Sequence, residues 1–356
     1  FCSGGVDSSL IMAMATSINR NLAIYHADVT GPNSQRDAAE HLARHLDLDL
    51  VAVEVNDQDF IDDIPKVTRY YEQPFAYHPN SVPFLGVTEL VQQNSTKAIL
   101  TGEAADECYL GYSYLPTEGL VNGLQSAMGR ISGLVSKLPH LNKLFVNQAV
   151  KNTTPFTGLL NGYEPDLEFE RVVKDIEASS GYRPGSKEAK TLKLMGYHLR
   201  SLLHRNDSLG MAASIEARFP FLGHDVVRFA VNLPYRFKIR PSLGAYGEVR
   251  HPFLQSKWVL RKVAERYLPR ALSNRTKRGF PTSAFERMKV KLEFFQDSYV
   301  SNLLKLDRKA IEHLDRTAGQ DLKLRLMLLD VWGRVHIHRE PDDSVQSDLQ
   351  KNLALD

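Results

Sequence analysis

Short apolar runs alternate with helix-like stretches over the first 110 residues, and this alternation restricts the fold more than any other feature of the chain. Such alternation favours parallel strands joined by right-handed helical crossovers, so it predicts an α/β fold built on a parallel sheet. The runs that predict strands are 22–29, 50–55 and 97–101. The stretches whose apolar spacing predicts helices are 6–18, 33–45, 61–71 and 83–93.

The pattern changes after residue 112. Residues 123–182 are rich in Gly, Pro, Asn and Ser, which indicates loops and short helices. Helical spacing returns in later stretches: 187–204, 225–231, 253–267, 282–299 and 311–338. The final residues are polar and predict a frayed end. The chain is therefore expected to divide into a core at 1–112, a loop-rich or helical insertion at 113–196, a mostly helical remainder at 197–340 and a polar tail at 341–356.

The composition argues against several classes of protein. Lys and Arg (44) nearly balance Asp and Glu (42), and this net charge of +2 argues against a dominant nucleic-acid-binding face. No apolar run approaches the roughly 18 residues of a membrane-spanning helix. The cysteines are Cys2 and Cys108, so no disulfide framework is expected, and a reducing, cytoplasmic location is predicted.

The sequence opens on Phe1 and Cys2 and runs straight into a polar loop. A buried strand usually has about five or six residues, so two apolar residues predict the remnant of a strand. We therefore expect an excerpt of a longer protein that lacks a strand, or a strand and a whole domain, upstream of residue 1.

The loop at 3–9 (SGGVDSS) follows this remnant and opens the first predicted helix. Gly4 and Gly5 let backbone N–H groups approach an anion closely, and the helix N-terminus adds positive potential. Ser3 and Ser8 contribute hydroxyl donors. The segment therefore predicts a cradle for phosphate.

Asp7 is the unusual residue of that loop, because a carboxylate repels phosphate oxygens. A divalent cation between them removes the repulsion, and Mg²⁺ commonly takes one or two carboxylates together with phosphate oxygens. The alternative is structural, since an acidic side chain near a helix N-terminus stabilises the helix dipole. Asp7 is therefore predicted to be either a Mg²⁺ ligand or a helix-stabilising residue.

A second loop at 101–107 (TGEAADE) has three carboxylates within five positions, directly after a predicted strand. Taken alone, it could be a solvated acidic turn. If parallel strands bring it across the sheet edge from Asp7, Asp106 completes a Mg²⁺ site with Asp7. Glu103 then acts as a base or orients an incoming amine.

A third segment, 205–222 (RNDSLGMAASIEARFPFL), is rich in apolar residues, which favours a structural role. Glu216 and Arg218 predict a buried ion pair or a local hydrogen-bonding set. Arg205 or Asp207 is a candidate for facing a substrate pocket.

The segment 275–281 (RTKRGFP) is a basic turn with three cations in four positions. It predicts either a solvated loop or a source of positive charge for phosphate transfer, which needs a cation to stabilise the leaving group. Lys277 or Arg278 would supply that cation.

These segments, taken in order, resemble the asparagine synthetase family. SGGVDSS resembles the pyrophosphatase loop (PP-loop) of the N-type ATP pyrophosphatases, the larger group that contains this family. Other segments are similar to motifs of its synthetase domain: EQPFAYHPNSVP at 72–83, TGEAADECYLGY at 101–112, MAASIEARFPFLGH at 211–224 and RTKRGFPT at 275–282. The resemblance spans most of the chain.

The resemblance implies a PP-loop core of the adenine-nucleotide α-hydrolase-like class, with a parallel sheet, followed by a mostly helical half. It implies ATP-dependent amide formation with ATP and Mg²⁺ as cofactors. A carboxylate, most commonly that of aspartate, attacks the α-phosphate and releases pyrophosphate. Ammonia from glutamine then displaces AMP from the acyl-adenylate to give the amide, asparagine.

The resemblance also implies roles for individual residues. The residues expected to contact ATP are Ser3, Gly4, Gly5, Asp7, Ser8, Thr101 and Gly102. Those expected to hold Mg²⁺ are Asp7 and Asp106. The expected catalytic residues are Glu103, Asp106 and Lys277. Glu103 assists attack of the amine on the adenylate, and Lys277 stabilises the pentavalent phosphate and the pyrophosphate.

The family usually obtains ammonia from an N-terminal glutaminase domain, which the resemblance implies for the full-length protein. Cys2 is not the nucleophile of such a domain, because it lies in the buried strand beside the loop. The expected partners are a small carboxylate and ammonia or glutamine, with no nucleic acid and no membrane. A homodimer is expected because relatives often form one.

The chain departs from the family pattern in several turns. Ala104 replaces the Gly of GEGADE, Cys108-Tyr109-Leu110 replaces LFG, and Gly223 replaces the Asp of PFLDH. The segment 77–80 also differs, near where the acceptor is expected to bind. None of these changes alters a residue with an expected catalytic or metal-binding role, so the chemistry is expected to be intact while the acceptor stays open.

Two other functions are compatible with the same motifs. A β-lactam-forming or peptide-cyclising synthetase uses an internal amine instead of ammonia. A non-catalytic nucleotide-binding relative retains the fold alone, but the presence of Asp7, Asp106 and Lys277 argues against it.

Overall fold

The computed structural model describes residues 1–31, 34–75, 78–112, 168–182, 186–241, 254–276, 282–317 and 319–355. Within these residues the chain is a mixed α/β structure in which helices predominate. None of the described helices is both long and apolar enough to cross a membrane. Most of the predicted insertion at 113–196, and the basic turn from Lys277 to Pro281, lie outside the described residues.

The first 112 residues alternate helices and strands, as their apolar spacing predicts. The strands are β1 (Ala23–Val29), β2 (Asp49–Val55) and β3 (Ala98–Leu100). The helices are α1 (Val6–Ile18), α2 (Arg36–Leu46), α3 (Asp57–Asp62), α4 (Ile64–Tyr71), α5 (Ser81–Gln93) and α6 (Ala105–Tyr109). α1 begins and ends where it was predicted.

The strands form two parallel pairs. β1 pairs with β2 along its whole length, so that Tyr25 lies opposite Val51. β3 pairs with β4 (Glu216–Arg218), which follows it by more than a hundred residues. The predicted parallel arrangement is therefore confirmed for these pairs.

Phe1 and Cys2 lie between the two pairs. The Cys2 N–H donates to the Tyr25 carbonyl at 2.9 Å. The Phe1 amine donates to the Leu100 carbonyl at 2.8 Å. Through these bonds the start of the chain is held beside both β1 and β3, so the loop at 3–9 begins next to the end of β3.

Beyond residue 167 the described structure is mainly helical. The helices are α7 (Glu168–Ser179), α8 (Lys187–Lys193), α9 (Leu199–Ala212), α10 (His224–Asn232), α11 (Tyr235–Lys238), α12 (Trp258–Ala264), α13 (Arg270–Ser273), α14 (Ser283–Arg287), α15 (Tyr299–Leu304), α16 (Arg308–Thr317), α17 (Gln320–Trp332) and α18 (Asp342–Asn352). The short antiparallel pairs are β5 (Arg240–Pro241) with β6 (Leu254–Gln255), and β7 (Met288–Val290) with β8 (Leu353–Leu355).

Two long predicted helices are broken in the structure. The prediction at 282–299 is wrong because α14 ends at Arg287 and β7 follows, with Met288 and Val290 buried on either side of exposed Lys289. That alternation is typical of a strand. The prediction at 311–338 is interrupted before α17, whose N-cap is Gly319.

The C-terminal end is folded, although its polar sequence predicted fraying. α18 buries Val345 and Leu349, which are four residues apart and therefore on one helix face. Arg334 anchors this end, with its guanidinium 2.8 Å from Glu340 and 2.6 Å from Asp348. The bond from Arg334 lowers the pKa of Glu340 to about 2. Charged and polar residues surround these two apolar residues in the sequence, so the prediction missed the buried helix face.

β1 is buried on both faces, which is typical of a parallel strand covered by helices. Tyr25, Ala27 and Val29 belong to a core that also includes α4, α5 and α17. Ile24 belongs to a second core, formed with α1 and α2. The carboxyl edge of the strands therefore lies between two packed layers, which fixes the loops that emerge there.

Candidate active site

The two polar loops predicted to meet do lie against each other. A Cβ atom placed on Gly102 would lie 2.7 Å from the backbone nitrogen of Ser8, so only glycine allows this approach. Gly4 has a φ of +76°, a backbone conformation that residues with a Cβ atom rarely adopt. Glycine is therefore required at position 102 for the close approach of the two loops and at position 4 for the turn.

The loop at 3–9 is organised by its own hydroxyls. The Ser3 N–H donates to Ser8 Oγ at 3.2 Å, and the Ser8 hydroxyl donates to the Gly5 carbonyl at 3.3 Å. The Gly4 N–H points to Cys2 Sγ at 3.4 Å. These bonds hold the loop in a compact turn before α1.

Lys257 joins the two loops at their acidic residues. Its ammonium lies 2.5 Å from Asp7 Oδ2 and 2.7 Å from Asp106 Oδ1, and its side chain is only 1% exposed. Lys257 has a left-handed backbone (φ +53°) directly before α12. A buried lysine is stable as a cation only when it is paired, and the two carboxylates provide the pairing.

The carboxylates of Asp7 and Asp106 were predicted to hold Mg²⁺. The part of the chain that the structure describes has no group of three or more His, Cys, Asp and Glu side chains that could hold a metal ion. Asp7 Oδ1 is buried and has no hydrogen-bond partner among the described residues. Two carboxylates suit a Mg²⁺ ion that takes its remaining ligands from phosphates, and Asp7 Oδ1 is an oxygen available to it.

Glu103 is paired with a buried arginine on α9. Arg205 Nη2 donates to Glu103 Oε1 at 2.6 Å, and the side chains are 2% and 27% exposed. The Glu103 N–H lies 3.4 Å from Thr101 Oγ1. Arg205 was one of two candidates for facing a pocket. The other, Asp207, is exposed.

Glu107, the third acid of the second loop, is buried in a hydrogen-bonded group. The Tyr112 hydroxyl donates to Glu107 Oε1 and lies 3.1 Å from His198 Nδ1. Burial, together with the charges of Glu107 and Asp106, raises the pKa of Tyr112 well above its usual value. The phenol therefore stays protonated and holds Glu107 in place.

A cavity of about 390 Å³ connects these groups. Its wall includes the residues predicted to contact ATP, together with Glu103, Asp106, Lys257 and Arg205. Arg275 and Thr276 also line it, and they directly precede Lys277, which lies outside the described residues.

Arg261 ties together the two segments that bring cations to this cavity. Its Nε donates to the Ser256 carbonyl at 3.1 Å, next to Lys257. Its Nη1 donates to the Arg275 carbonyl at 2.8 Å. This buried guanidinium therefore holds the turn of Lys257 against the start of the basic turn.

Sequence reasoning missed Lys257 and Arg261. The available signal was the pair of cations four residues apart (KWVLR); Lys257 is the N-cap of α12, and Arg261 lies one turn into the helix. Of the two predictions for Glu216 and Arg218, the local hydrogen-bonding set is confirmed. The buried ion pair is wrong, because the two side chains are 57% and 64% exposed.

Replacing Ala104 by Gly is expected to stabilise the protein. Ala104 has a φ of +73°, which for a residue with a Cβ costs roughly 1–2 kcal/mol. The greater freedom of glycine in the unfolded chain offsets about 0.4–1 kcal/mol of that gain. Loss of the Ala104 methyl, which is 1% exposed, offsets about 0.8 kcal/mol more. We expect a net increase of up to about 1 kcal/mol in the free energy of unfolding, measured in urea.

Ala15→Gly in α1 is the matched control and should lose about 1 kcal/mol, because its backbone is helical. Equal losses in the two variants would contradict the strain at Ala104.

The stability of the protein is expected to fall in mild acid because of His78. Burial, with smaller effects from Arg205 and His198, lowers the pKa of His78 from 6.5 to about 3. Between these two pKa values the unfolded chain binds a proton at this histidine and the folded chain does not. The free energy of unfolding therefore falls as the pH is lowered. His78 alone should lower it by about 2 kcal/mol from pH 7 to pH 5.

The measurement is urea unfolding at both pH values for the wild type and His78→Gln. The variant should lose less stability between them, by about 2 kcal/mol. His224→Gln, at an exposed histidine, should keep the wild-type pH dependence. If His78→Gln also keeps it, His78 is not the acid-sensitive group.

Comparisons with known proteins find a matching family model and several relatives of this chain. The family model described as asparagine synthase matches residues 1–325. An asparagine synthetase [glutamine-hydrolyzing] 1 of Bacillus subtilis is 25% identical over 79% of this chain and 45% of its own length. A second protein of that species, asparagine synthetase [glutamine-hydrolyzing] 3, is 24% identical over 91% of this chain and 52% of its own.

A more distant relative has a different name. Amidase chry2 of Gibberella zeae is 20% identical over 79% of this chain and 48% of its own length. The chain spans about half the length of the curated relatives that it matches.

Proposed function

This chain belongs to the asparagine synthase family, and from that premise we propose that it is the ATP-dependent ligase part of an amide-forming enzyme. The observation that carries the proposal is one cavity that combines a glycine-containing loop before a helix with two carboxylates on a buried lysine. On this proposal residues 1–112 are a PP-loop core, and the helical remainder closes the cavity over it.

The first step is adenylation of a carboxylic acid. A carboxylate oxygen of the acceptor attacks the α-phosphorus of ATP, and the bond to the β-phosphate oxygen breaks to release pyrophosphate. The backbone and hydroxyl groups of residues 3–8, with Thr101 and Gly102, bind the nucleotide. The N–H groups at the start of α1 suit the phosphates because they lie at a helix N-terminus.

Lys257 and Lys277 stabilise the negative charge of this step. The buried ammonium of Lys257 is fixed between Asp7 and Asp106 and needs no reorganisation when pyrophosphate leaves. Arg261 holds the segment that leads into Lys277 at the cavity wall. Asp7 and Asp106 would hold Mg²⁺ bound with ATP, which supplies positive charge to the phosphates.

The second step is attack of ammonia on the acyl carbon, with AMP leaving on its phosphate oxygen. The nitrogen must lose a proton, and Glu103 lies at the cavity wall in a position to orient the amine and accept it. The 2.6 Å hydrogen bond from Arg205 Nη2 fixes the orientation of the Glu103 carboxylate.

We propose aspartate as the acceptor and glutamine as the source of ammonia, because the relatives named above are glutamine-hydrolysing asparagine synthetases. The glutaminase would be an additional N-terminal domain, and a cytoplasmic homodimer is the assembly that we propose. A synthetase that uses an internal amine is the alternative, and the same product analysis separates the two.

The test is product analysis with α-labelled ATP, Mg²⁺, aspartate and ammonium chloride, which supplies ammonia without a glutaminase. The expected products are AMP, pyrophosphate and asparagine in equal amounts. AMP without asparagine would favour an internal amine or another acceptor. ADP and inorganic phosphate as products would contradict the adenylation mechanism.

A further inference from the structure

We propose that Arg205 is a specificity-determining residue that binds a second anionic group of the acceptor, distinct from the carboxylate that is adenylated. The inference rests on the proposed function, since it concerns the acid used by that reaction. It starts from one unused arm of a buried guanidinium in the cavity wall.

The guanidinium of Arg205 is held on several sides. Nε and Nη2 both donate to Asn206 Oδ1, at 3.2 and 2.9 Å, and Nη2 also donates to Glu103. The group lies over the ring of Phe84, 5.3 Å from its centroid. These contacts fix the plane of the guanidinium before any ligand arrives.

Nη1 of Arg205 is buried and has no hydrogen-bond partner among the described residues. An unpaired buried donor on a charged group is costly, and a carboxylate is the partner that matches a guanidinium arm best. The other cations described in the cavity wall are engaged: Lys257 with two carboxylates, Arg261 with backbone carbonyls and Arg275 with Asp37. The charged donor left for a ligand in this part of the wall is therefore Arg205.

The unpaired arm of Arg205 favours an anion over a neutral or cationic group. Glu103 balances the charge of the guanidinium through Nη2, so the attraction for a carboxylate comes from the buried donor at Nη1 rather than from excess positive charge. A cationic group would meet Arg205 itself.

The bound group is not the reacting carboxylate, because the reacting carboxylate loses its charge on adenylation. A contact that holds the acceptor through both steps must therefore engage a group that stays anionic.

The experiment compares aspartate with β-alanine, which carries the same reacting carboxylate but lacks the other one. The kcat/KM for AMP formation is measured for both acids with the wild type, Arg205→Lys and Arg205→Met. A charged hydrogen bond is worth about 1.5–3 kcal/mol, so the wild type should prefer aspartate by roughly 10- to 150-fold. In Arg205→Met the ratio should fall to near one, and in Arg205→Lys it should be intermediate.

The ratio separates this role from a structural one. Any loss that the substitution causes through Glu103 or through folding affects both acids equally and cancels, and the KM for ATP should not change. An unchanged ratio in Arg205→Met would overturn the inference, even if both rates fall.

A binding measurement separates this inference from the proposed function. Calorimetry of aspartate and β-alanine is carried out with a non-hydrolysable ATP analogue present. If aspartate binds through Arg205 but no AMP forms, the proposed function fails while this inference stands. If AMP forms and Arg205→Met binds both acids as the wild type does, the inference fails and the proposed function stands.

Discussion

Replacing Lys257 by Met is expected to abolish AMP formation and to lower the free energy of unfolding by about 3–5 kcal/mol, because it leaves two carboxylates that are only 14% and 20% exposed without their buried cation. Lys257 is 1% exposed and lies within 2.7 Å of both Asp7 and Asp106. Methionine fills a similar volume, so the loss reports the missing charge rather than a cavity. Urea unfolding and AMP release measure the two effects.

Lys262→Met is the matched control, because Lys262 lies on α12, the helix that Lys257 precedes, and pairs with Glu265 at the surface. Exposed pairs of this kind contribute at most about 1 kcal/mol, so stability and AMP formation should change little. A second comparison adds Asp7→Asn to Lys257→Met. The double variant should regain part of the stability, since one of two facing carboxylates is gone, while activity stays absent. Wild-type stability in Lys257→Met would contradict the buried pairing.

The parts of this site that could be predicted are those formed by residues close together in the sequence. α1 lies where its apolar spacing placed it, and the loops at 3–8 and 101–106 meet because hydrogen bonds hold residues 1 and 2 beside β1 and β3. Sheet geometry therefore sufficed to bring Asp7 towards Asp106, although each loop alone could equally have been a solvated turn.

The cations at the site could not be predicted in the same way. Lys257 stands 250 residues from Asp7 in the sequence, outside any motif that was recognised, and it pairs with that residue only through the tertiary packing of α12. Arg205 could only be suspected, because its burial and its bond to Glu103 depend on the position of α9. Local periodicity carries no information about which charged side chains lie opposite each other.

The boundaries of the later elements failed for a related reason. The spacing of apolar residues in 282–299 is compatible with a helix when the pairing partner of the segment is unknown. Pairing of Met288 with Leu355, in the last strand of the chain, makes β7 a strand instead. The same distant partner gives the C-terminal end its fold.

Replacing Asp7 or Asp106 by Asn is expected to lower the rate of AMP formation by at least about 10²- to 10³-fold, the usual cost of losing one charged group that a transition state requires. The loss has two sources. Mg²⁺ bound to the phosphates would lose one carboxylate ligand, and Lys257 would lose one of its two ion-pair partners. Because Lys257 keeps the other carboxylate, each single variant should still fold, and its rate can be compared directly with that of the wild type.

The effect on metal use distinguishes the two sources. Asp7 Oδ1 has no partner among the described residues, so Asp7→Asn should raise the Mg²⁺ or Mn²⁺ concentration needed for half-maximal binding of an ATP analogue. Asp57→Asn is the control, because Asp57 pairs with Arg287 at the surface, on a helix that does not line the cavity. The double variant Asp7→Asn/Asp106→Asn should lose stability as well as activity, because it leaves the buried Lys257 without a carboxylate partner. If both single variants form AMP at the wild-type rate over the whole range of Mg²⁺ concentrations, neither carboxylate takes part in the reaction, and Lys257 is then a structural cation alone.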